Sequence, residues 1–288
     1  MIELNGKPYG LVLLDTNVLS EFLLAPKEWG PLLVHKYFLK SIIPSYSAFS
    51  VVEITSRPEV FEKFIDIFSA FPAIMLDGYD SIFQKEMEHY STGKLPSPVV
   101  ISPAFVRAPG LDPREGTRKL FETAGLEQKA RQWKSSAKSI LDGMLGLRPN
   151  FPPKGSTYSL SEIARFVDVA SRQQIELRAK GFVRDLKSRS EELDISRFPS
   201  ILITSLIVFY KFYVDKRRPA DSDVFDIIIG SVLPYVDAVI TEAGMRSIIS
   251  TIQRRHKLLN LAPATSLAEA RDEIPMYKNL AEGANTPG

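Results

Sequence analysis

Hydrophobic residues form three short, continuous runs that lie far apart in the chain. They cover residues 11–14, 73–76 and 238–240, and each is followed at once by polar residues. A continuous apolar run without polar alternation is typical of a strand that is buried on both faces, as in a parallel sheet. The pattern therefore predicts a central sheet whose strands come from distant parts of the chain.

Between these runs the apolar positions recur at helical spacing, which predicts helices that connect the strands. Pro58 stands where a helix favours proline, in its first turn. Ser222 is expected to cap a helix over residues 223–232, and residues 42–44 are interpreted as a short link. The other predicted helices cover residues 16–25, 31–40, 47–54, 58–68, 80–90, 114–144, 159–187, 201–214 and 243–256, and an edge strand is expected at residues 258–261.

The middle of the chain differs from the regions on either side. Residues 91–113 are rich in proline, serine and glycine and are interpreted as an irregular loop, which helical patterns follow. We therefore divide the chain into a core of residues 8–92 and 199–275, a helical insertion or cap over residues 93–198, and a disordered tail at residues 276–288. Alternating strands and helices predict an α/β sandwich with a parallel sheet, a fold that binds ligands beyond the carboxyl ends of its strands.

Composition narrows the chemistry of any site. The chain has 288 residues, of which 44% are hydrophobic, so it can bury a substantial core. It contains no cysteine, which excludes thiolate metal sites and fits a cytoplasmic protein, and its three histidines are far apart. Any metal must therefore bind oxygen ligands, which favours Mg²⁺ or Mn²⁺. The most apolar stretch, residues 201–210, is ended by Lys211 and is too short to cross a membrane, so no membrane partner is expected.

Five acidic residues stand in settings that normally avoid a carboxylate. Asp15 and Glu242 directly follow predicted strands, and Glu53 lies between apolar residues of a predicted helix. Asp223 and Asp226 are three positions apart and so share one helix face. Two carboxylates about 5 Å apart repel by roughly 3 kcal/mol, so a cluster of them requires a compensating cation. A divalent ion would supply that charge and activate water for hydrolysis.

Each of these acids also has an ordinary structural explanation. Asp15 can cap the helix that follows it, and Glu53 can point to solvent from an amphipathic helix. Asp223 and Asp226 can interact with the helix dipole, and Glu242 can be a surface turn residue. The sequence alone leaves open whether the five side chains meet in space.

Four segments, in their order along the chain, resemble the PIN-domain family of nucleases. The resemblance covers residues 8–90 and 200–262 and says nothing about the middle of the chain. The opening strand followed by Asp-Thr-Asn is the most specific of the four segments. They are residues 13–19 (LLDTNVL), 47–53 (SAFSVVE), 222–228 (SDVFDII) and 234–242 (PYVDAVITE).

The resemblance implies a three-layer α/β/α fold with a central parallel sheet, a site that binds Mg²⁺ or Mn²⁺, and cleavage of RNA. Asp15 and Glu53 match the first two acids of the family. The third acid is Asp223 or Asp226, and we favour Asp226 because a run of isoleucines follows it into the helix.

At the fourth corner the family has threonine followed closely by aspartate, whereas this chain has Thr241 and then Glu242, whose side chain is one methylene longer. The metal is expected to bind to Asp15, Glu53, Asp226 and Glu242. Asp237 is an alternative for this corner, although it precedes the predicted strand. The residues expected to orient the ligands are Thr16, Asn17 and Thr241.

Contact with nucleic acid requires a local basic patch, because the net charge of the chain is only +2. Lys216, Arg217 and Arg218 shortly precede the third acid and are the candidate contacts to phosphate. A second basic run covers residues 254–256. The alternative for both runs is a solvated group of surface charges.

The expected function is hydrolysis of RNA phosphodiester bonds by a metal-dependent endoribonuclease. Many members of the family it resembles are toxins, which implies an antitoxin-like protein partner, although toxin members are usually much shorter than this chain. The alternatives are a non-catalytic PIN-like module that binds RNA or protein, a structure-specific DNA nuclease, and an α/β protein with unrelated acids. The sequence leaves the RNA target and the oligomeric state open.

Overall fold

The computed structural model describes residues 2–4, 6–101, 110, 112–123, 125–154, 157–215, 218–256 and 261–272. Three of the predictions above therefore lie outside the described residues. They concern the tail at residues 276–288, most of the edge strand at residues 258–261, and the basic residues Lys216 and Arg217.

A central sheet with parallel strands organises the fold, as the apolar runs predict. Its strands are β1 (Ile2–Leu4), β2 (Lys7–Leu14), β3 (Ile42–Ser47), β4 (Ile74–Leu76), β5 (Val99–Ile101), β6 (Ala238–Ile240) and β7 (Ala264–Thr265). The order is β5-β4-β3-β2-β6-β7, and all neighbours from β4 to β7 are parallel. β5 and β1 pair antiparallel with β4 and β2, so residues 91–113 are not wholly irregular as expected.

The strand β3 shows that the interpretation of residues 42–44 as a link is wrong. β3 pairs with β2 from Ile42 to Ser45, but with β4 only from Ser45 onward. Pro44 therefore lies beside β2 alone, and its missing N–H interrupts no bond to β4. The Ser45 hydroxyl donates to the Val12 carbonyl oxygen at 3.0 Å, which satisfies a buried polar side chain within the sheet.

Helices connect the strands and form much of the rest of the described chain. The α-helices are α1 (Thr16–Leu24), α2 (Pro26–Lys40), α3 (Ala48–Ile54), α4 (Pro58–Phe68), α5 (Tyr79–His89), α6 (Pro113–Thr123), α7 (Leu126–Leu145), α8 (Leu160–Arg178), α9 (Lys180–Ser188), α10 (Pro199–Val208), α11 (Asp221–Ile229), α12 (Ala243–Arg255) and α13 (Leu267–Asp272). Short 3-10 helices cover Ile195–Arg197 and Gly230–Tyr235, and a π-helix covers Phe209–Val214. The helical patterns at residues 114–144 and 159–187 each correspond to two helices.

Local sequence explains where the helices near the carboxyl ends of the strands begin. Ser47 caps α3, because its hydroxyl accepts the Phe49 N–H at 3.2 Å. Pro58 occupies the first turn of α4, as predicted. The burial of Phe64 and Phe68 on α4 confirms the inward face that its periodicity indicates.

The prediction that Ser222 caps a helix is wrong. α11 begins at Asp221, and the residue before it is Ala220. The Asp223 carboxylate accepts the Ala220 N–H at 2.7 Å, so an acid in the first turn satisfies the amide that precedes the helix.

The helix α10 runs through the core, and every one of its residues is buried. The π-helix continues the buried stretch, so Lys211 does not end it as expected. Instead, Lys211 is itself only 3% exposed. Tyr210, Phe212 and Tyr213 around it are buried as well. Within the described part of the chain, no helix combines the length and apolar character that a membrane crossing needs.

Helices from the middle of the chain pack against the same core. The ring of Phe166 on α8 lies 5.0 Å from that of Phe209 and 4.6 Å from that of Tyr213, measured between centroids. Phe121 on α6 packs edge-on against Phe64 on α4 at 5.4 Å. Aromatic contacts of this kind join residues 93–198 to the rest of the protein. Their assignment as an inserted cap stays a prediction.

Candidate acidic site

Asp15 lies at the carboxyl end of β2, where the chain turns into α1. Its Oδ1 accepts the Thr16 N–H at 2.7 Å and caps the helix, and its Oδ2 accepts the Thr241 hydroxyl at 2.6 Å. β6 runs beside β2, and the Asp15 N–H donates to the Ile240 carbonyl oxygen at 3.1 Å. The ordinary explanation of Asp15 as a helix cap is therefore correct, and the same residue also lies where a parallel sheet binds ligands.

Burial makes two carboxyl groups at this edge of the sheet reluctant to ionise. It raises the pKa of Asp15 to about 6, an effect that the Thr241 hydroxyl opposes and the charges of Asp226 and Glu242 reinforce. It raises the pKa of Glu53 to about 7, and the charges of Asp226 and Asp15 again add to the rise. Glu53 is thus a partly buried residue that faces other acids, and not a side chain that simply points to solvent.

A buried lysine distinguishes the two aspartates of α11. The Nζ atom of Lys211 lies 2.6 Å from Asp226 Oδ2 and 2.8 Å from Asp223 Oδ1. Asp223 is fully buried, and its second oxygen accepts the Ala220 N–H. The side chain of Asp226 is 22% exposed, and its charge raises the pKa of both carboxyl groups described above. Of the two candidates for the third acid, Asp226 therefore belongs to the cluster and Asp223 faces the interior.

Glu242 lies on the solvent side of the cluster, immediately before α12. Its side chain is exposed, and its Oε2 accepts a long hydrogen bond of 3.4 Å from Asn17 Nδ2. Glu242 is near enough to contribute to the raised pKa of Asp15. The four acids Asp15, Glu53, Asp226 and Glu242, which come from four separate segments, thus meet at one edge of the sheet. We name this group the acidic cluster.

An open cavity of about 500 Å³ adjoins the acidic cluster next to Glu53. Thr16 on its wall is 5% exposed. Its hydroxyl makes no hydrogen bond of normal geometry, but it lies close enough to Glu53 to lower the pKa of that carboxyl, in opposition to the effect of burial. Arg57, one turn after Glu53, donates to the Ser20 hydroxyl at 2.6 Å. The cavity is lined by Thr16, Asn17, Glu53, Ser56, Arg57, Asp221, Ser222 and Phe225.

The donor atoms of the acidic cluster are of the kind that a hard divalent cation binds, but their positions do not form a binding site. Carboxylates and a buried hydroxyl without a normal hydrogen bond are the oxygen donors that such a cation prefers. Among the residues that the structure describes, no three histidine, aspartate or glutamate side chains are grouped closely enough to hold an ion. Both oxygens of Asp15 accept hydrogen bonds, and one oxygen of Asp226 contacts Lys211. Binding of an ion would therefore require side-chain adjustment.

Asp237 does not join the acidic cluster. It lies just before β6, and its Oδ2 accepts the Leu11 N–H at 2.8 Å. Because β2 and β6 are parallel, this contact belongs to the opposite end of the sheet from Asp15. The alternative that Asp237 completes the fourth corner is therefore wrong.

The described residues of the two basic runs are not all exposed. Arg218 is exposed, and its contact with nucleic acid stays a prediction. In the second run, Arg254 and Arg255 are exposed but His256 is buried, with its Nε2 atom 2.9 Å from the Tyr210 hydroxyl. Burial, with a smaller effect from Arg255, lowers the pKa of His256. His256 therefore belongs to the core and does not extend the surface charge.

Sequence reasoning gave no role at this site to Lys211 or Arg57. A signal for Lys211 is present in the sequence, because aromatic residues that are themselves core flank it on both sides. Lysine is almost never fully buried unless it is paired, so this position indicates a buried acid nearby. Arg57 carries no comparable signal, since it follows a helix as many solvated arginines do.

Comparison with known proteins leaves the interpretation to the site itself. No family model, no curated protein and no solved structure matches this chain.

Proposed function

We propose that this protein is a divalent-metal-dependent endoribonuclease with a PIN-like acidic site. The observation that carries the proposal is the acidic cluster. Its members come from four separate segments, and burial together with the charges of neighbouring acids raises the pKa values of Asp15 and Glu53 to about 6 and about 7. Strongly perturbed acids beside a cavity are typical of functional sites.

The energetics of the acidic cluster support a bound cation. Two carboxylates about 5 Å apart repel by roughly 3 kcal/mol, and burial adds the cost of desolvation. An arrangement of this kind at the carboxyl ends of parallel strands is more readily explained by a ligand than by stability. The strand-Asp-Thr-Asn start and the central parallel sheet are compatible with the three-layer α/β/α arrangement of PIN-like proteins.

Asp15, Glu53 and Asp226 are the proposed ligands of Mg²⁺ or Mn²⁺, and Glu242 would complete the site from the solvent side. When bound, such an ion lowers the pKa of water and stabilises negative charge on a departing oxygen. The chain's own contribution is to position the donors. The Thr241 hydroxyl fixes one oxygen of Asp15, as expected of a residue that orients a ligand.

Asn17 and Thr16 have related roles in the proposal. The Asn17 amide contacts Glu242, and Thr16 lines the cavity beside Glu53. Arg57 on the cavity wall is suited to a phosphate, because a guanidinium forms charge-assisted bonds to phosphate oxygens. Phosphate contacts by Lys216, Arg217 and Arg218 belong to the same proposal.

RNA as the substrate, and a toxin that pairs with an antitoxin-like protein, rest on the resemblance to PIN-domain nucleases. A second candidate is a PIN-like module without catalysis that binds RNA or protein. Two observations favour it: Lys211 already supplies a positive charge to Asp226, and the described acids do not form a closed metal-binding group. A structure-specific DNA nuclease differs from the main proposal in its substrate alone.

One assay separates these functions. Purified protein is incubated with Mn²⁺, Mg²⁺ or a chelator, and with single-stranded RNA, single-stranded DNA or a flapped duplex. We expect metal-dependent cleavage of RNA, and a loss of at least about a hundredfold in Asp15→Asn, because that change removes a ligand charge. Asp237→Asn is the matched control, since it alters an aspartate at the opposite end of the same sheet.

Each other outcome assigns a different function. Binding of RNA without cleavage at any metal concentration would support the non-catalytic module. Preferential cleavage of the flapped duplex would support the DNA nuclease. Equal cleavage by the wild type and by Asp15→Asn would refute the acidic cluster as the active site.

A further inference from the structure

A second open cavity, of about 490 Å³, borders the turn between α3 and α4. Thr55 and Pro58 belong to its wall, whereas Ser56 and Arg57 between them line the cavity beside Glu53. The two cavities therefore share one turn of the chain. We name the second one the neighbouring cavity. Its volume is in the usual range of small-molecule pockets, yet the proposed function gives it no part.

Helices from the middle of the chain supply another wall of the neighbouring cavity. Phe121 on α6 and Gln128 and Arg131 on α7 belong to this wall. The helix α7 also packs against α3 and α11, which carry Glu53 and Asp226 of the acidic cluster. A polymer that is bound at the acidic cluster thus has a second place of contact in the same region of the protein.

Phe61 on α4 gives the neighbouring cavity an aromatic surface. Its ring lies nearly parallel to that of Phe64, with 8° between the planes and 6.3 Å between the centroids. The buried Phe121 meets it edge-on at 6.3 Å. These contacts hold the ring of Phe61, although the residue is only partly buried. Accessible aromatic rings are the surfaces on which single-stranded nucleic acids stack their bases.

The charge of Arg118 on the same wall is already paired. Its guanidinium donates to both carboxylate oxygens of Glu62, at 2.7 Å and 2.6 Å, in a bidentate arrangement. A guanidinium that holds a carboxylate in this way offers a flat surface more than a free positive charge. The neighbouring cavity is thus suited to a flat, neutral group, whereas the exposed Arg57 of the first cavity is suited to a phosphate.

We propose that the neighbouring cavity binds one base of a single-stranded RNA whose backbone passes the acidic cluster. This inference rests on the proposed function, because it takes RNA as the ligand. The base stacks on Phe61 beside the paired Arg118, and the amide of Gln128 can both donate to its edge and accept from it. Since a base must leave a duplex before it enters a pocket, the cavity favours single strands.

The test measures binding of a fluorescently labelled single-stranded RNA of about ten nucleotides to the full chain by fluorescence anisotropy. A chelator is present so that the RNA stays intact. Phe61→Leu removes the ring but keeps an apolar side chain. Phe182→Leu is the matched control, because Phe182 is also partly buried and packs edge-on against Tyr90 and Phe198, but lines neither cavity. Circular dichroism verifies folding.

We expect Phe61→Leu to bind the RNA about tenfold more weakly than the wild type, because a stacking contact is lost. Phe182→Leu should bind with wild-type affinity. The salt dependence of binding should stay the same in Phe61→Leu but become flatter in Arg57→Met, because only the arginine contacts a phosphate.

A series of RNAs that each lack one base but keep the backbone locates the contact. In the wild type, removal of the base at one position should weaken binding more than removal elsewhere. In Phe61→Leu, removal at that position should have no further effect, because both changes eliminate the same contact. A purely structural role of Phe61 would leave this position-specific loss unchanged.

The opposite results separate this inference from the proposed function. Wild-type affinity in a folded Phe61→Leu, or the same position-specific loss in both proteins, would overturn the role of the neighbouring cavity. Metal-dependent cleavage of RNA, which is assayed separately, would stand. A wild type that neither binds nor cleaves RNA would overturn both.

Discussion

Burial raises the pKa values of two glutamates, the buried Glu86 and the partly buried Glu53, to about 7, yet their surroundings differ. Glu86 on α5 is 2% exposed and accepts the Ser200 N–H at 2.8 Å, the Ser200 hydroxyl at 2.6 Å and the Tyr235 hydroxyl at 2.5 Å. Glu53 has the Thr16 hydroxyl nearby, lies close to Asp226 and Asp15, and lines an open cavity.

The comparison teaches that a raised pKa does not by itself identify a ligand site. At Glu86, donors of the protein occupy the carboxylate oxygens, so the group is satisfied within the fold. At Glu53, the Thr16 hydroxyl and the charge of Arg57 favour the ionised form, but burial and the charges of Asp226 and Asp15 outweigh them. The balance of donors against acids around the group therefore separates a structural carboxylate from a functional one.

The largest expected difference concerns stability. Glu86→Ala should lower the free energy of unfolding by about 3 kcal/mol, because it leaves a cavity and deprives the Tyr235 hydroxyl and the Ser200 N–H of their acceptor. Glu53→Ala should change it by less than about 1 kcal/mol, because it also relieves repulsion. Chemical denaturation of both variants without metal tests the contrast, which equal losses would contradict.

A second difference should appear in the pH dependence of stability. The folded-state pKa values of Asp15, Glu53 and Glu86, at about 6, about 7 and about 7, lie above the usual 3.8, 4.5 and 4.5. Between these values the folded chain keeps protons that the unfolded chain has released. The contribution of each group to stability therefore falls as the pH rises from about 4 to about 7, by at most about 1.4 kcal/mol per pKa unit.

Metal should separate the contributions of these groups. Saturating Mn²⁺ should remove the decrease in stability with rising pH that Asp15 and Glu53 cause, because the ion favours their ionised forms. It should not affect the decrease that Glu86 causes. Glu86→Gln should remove the pH-dependent decrease that Glu86 causes, with or without metal. Denaturation at about pH 5 and about pH 8 measures both effects. An equal influence of Mn²⁺ on the wild type and on Asp15→Asn would contradict the assignment.

The smallest expected effect is a gain in stability. Asp15→Asn should raise the free energy of unfolding of the metal-free protein by about 1 kcal/mol at about pH 8, because it removes a charge from the acidic cluster. The amide oxygen can still accept the Thr16 N–H, so the cap of α1 is retained. Thermal unfolding measures the effect, for which Asp237→Asn again serves as the control. A clear loss of stability would show that the cap outweighs the repulsion.

The parts of the fold that the sequence predicts best are those with a local cause. The continuous apolar runs locate β2, β4 and β6, and Pro58 locates the start of α4. β3 escapes the same reasoning, because Pro44 and two serines interrupt its apolar pattern and the neighbours that accommodate them are distant in sequence. The prediction of Ser222 as the cap of α11 fails for a similar reason. Serine and aspartate both suit a helix start, and here it is Asp223 that accepts the Ala220 N–H.

The candidate site divides in the same way. The acids at strand ends, Asp15 and Glu242, follow from local pattern, and the sheet brings them together as the α/β prediction requires. The choice between Asp223 and Asp226 depends on which aspartate faces the interior. Both contact Lys211, whose position is set by a π-helix. No periodicity argument could reveal it, because regular helical spacing does not describe this segment.

The hydrogen bond between Asp15 and Thr241 spans 226 positions of the chain. The ribosome makes the chain from its amino end, so β2 and α3 emerge long before β6 and α11. A nascent chain therefore carries Asp15 and Glu53 without the partners that complete their edge of the sheet. Under the proposed function, the acidic cluster is therefore complete only after β6 and α11 have been made.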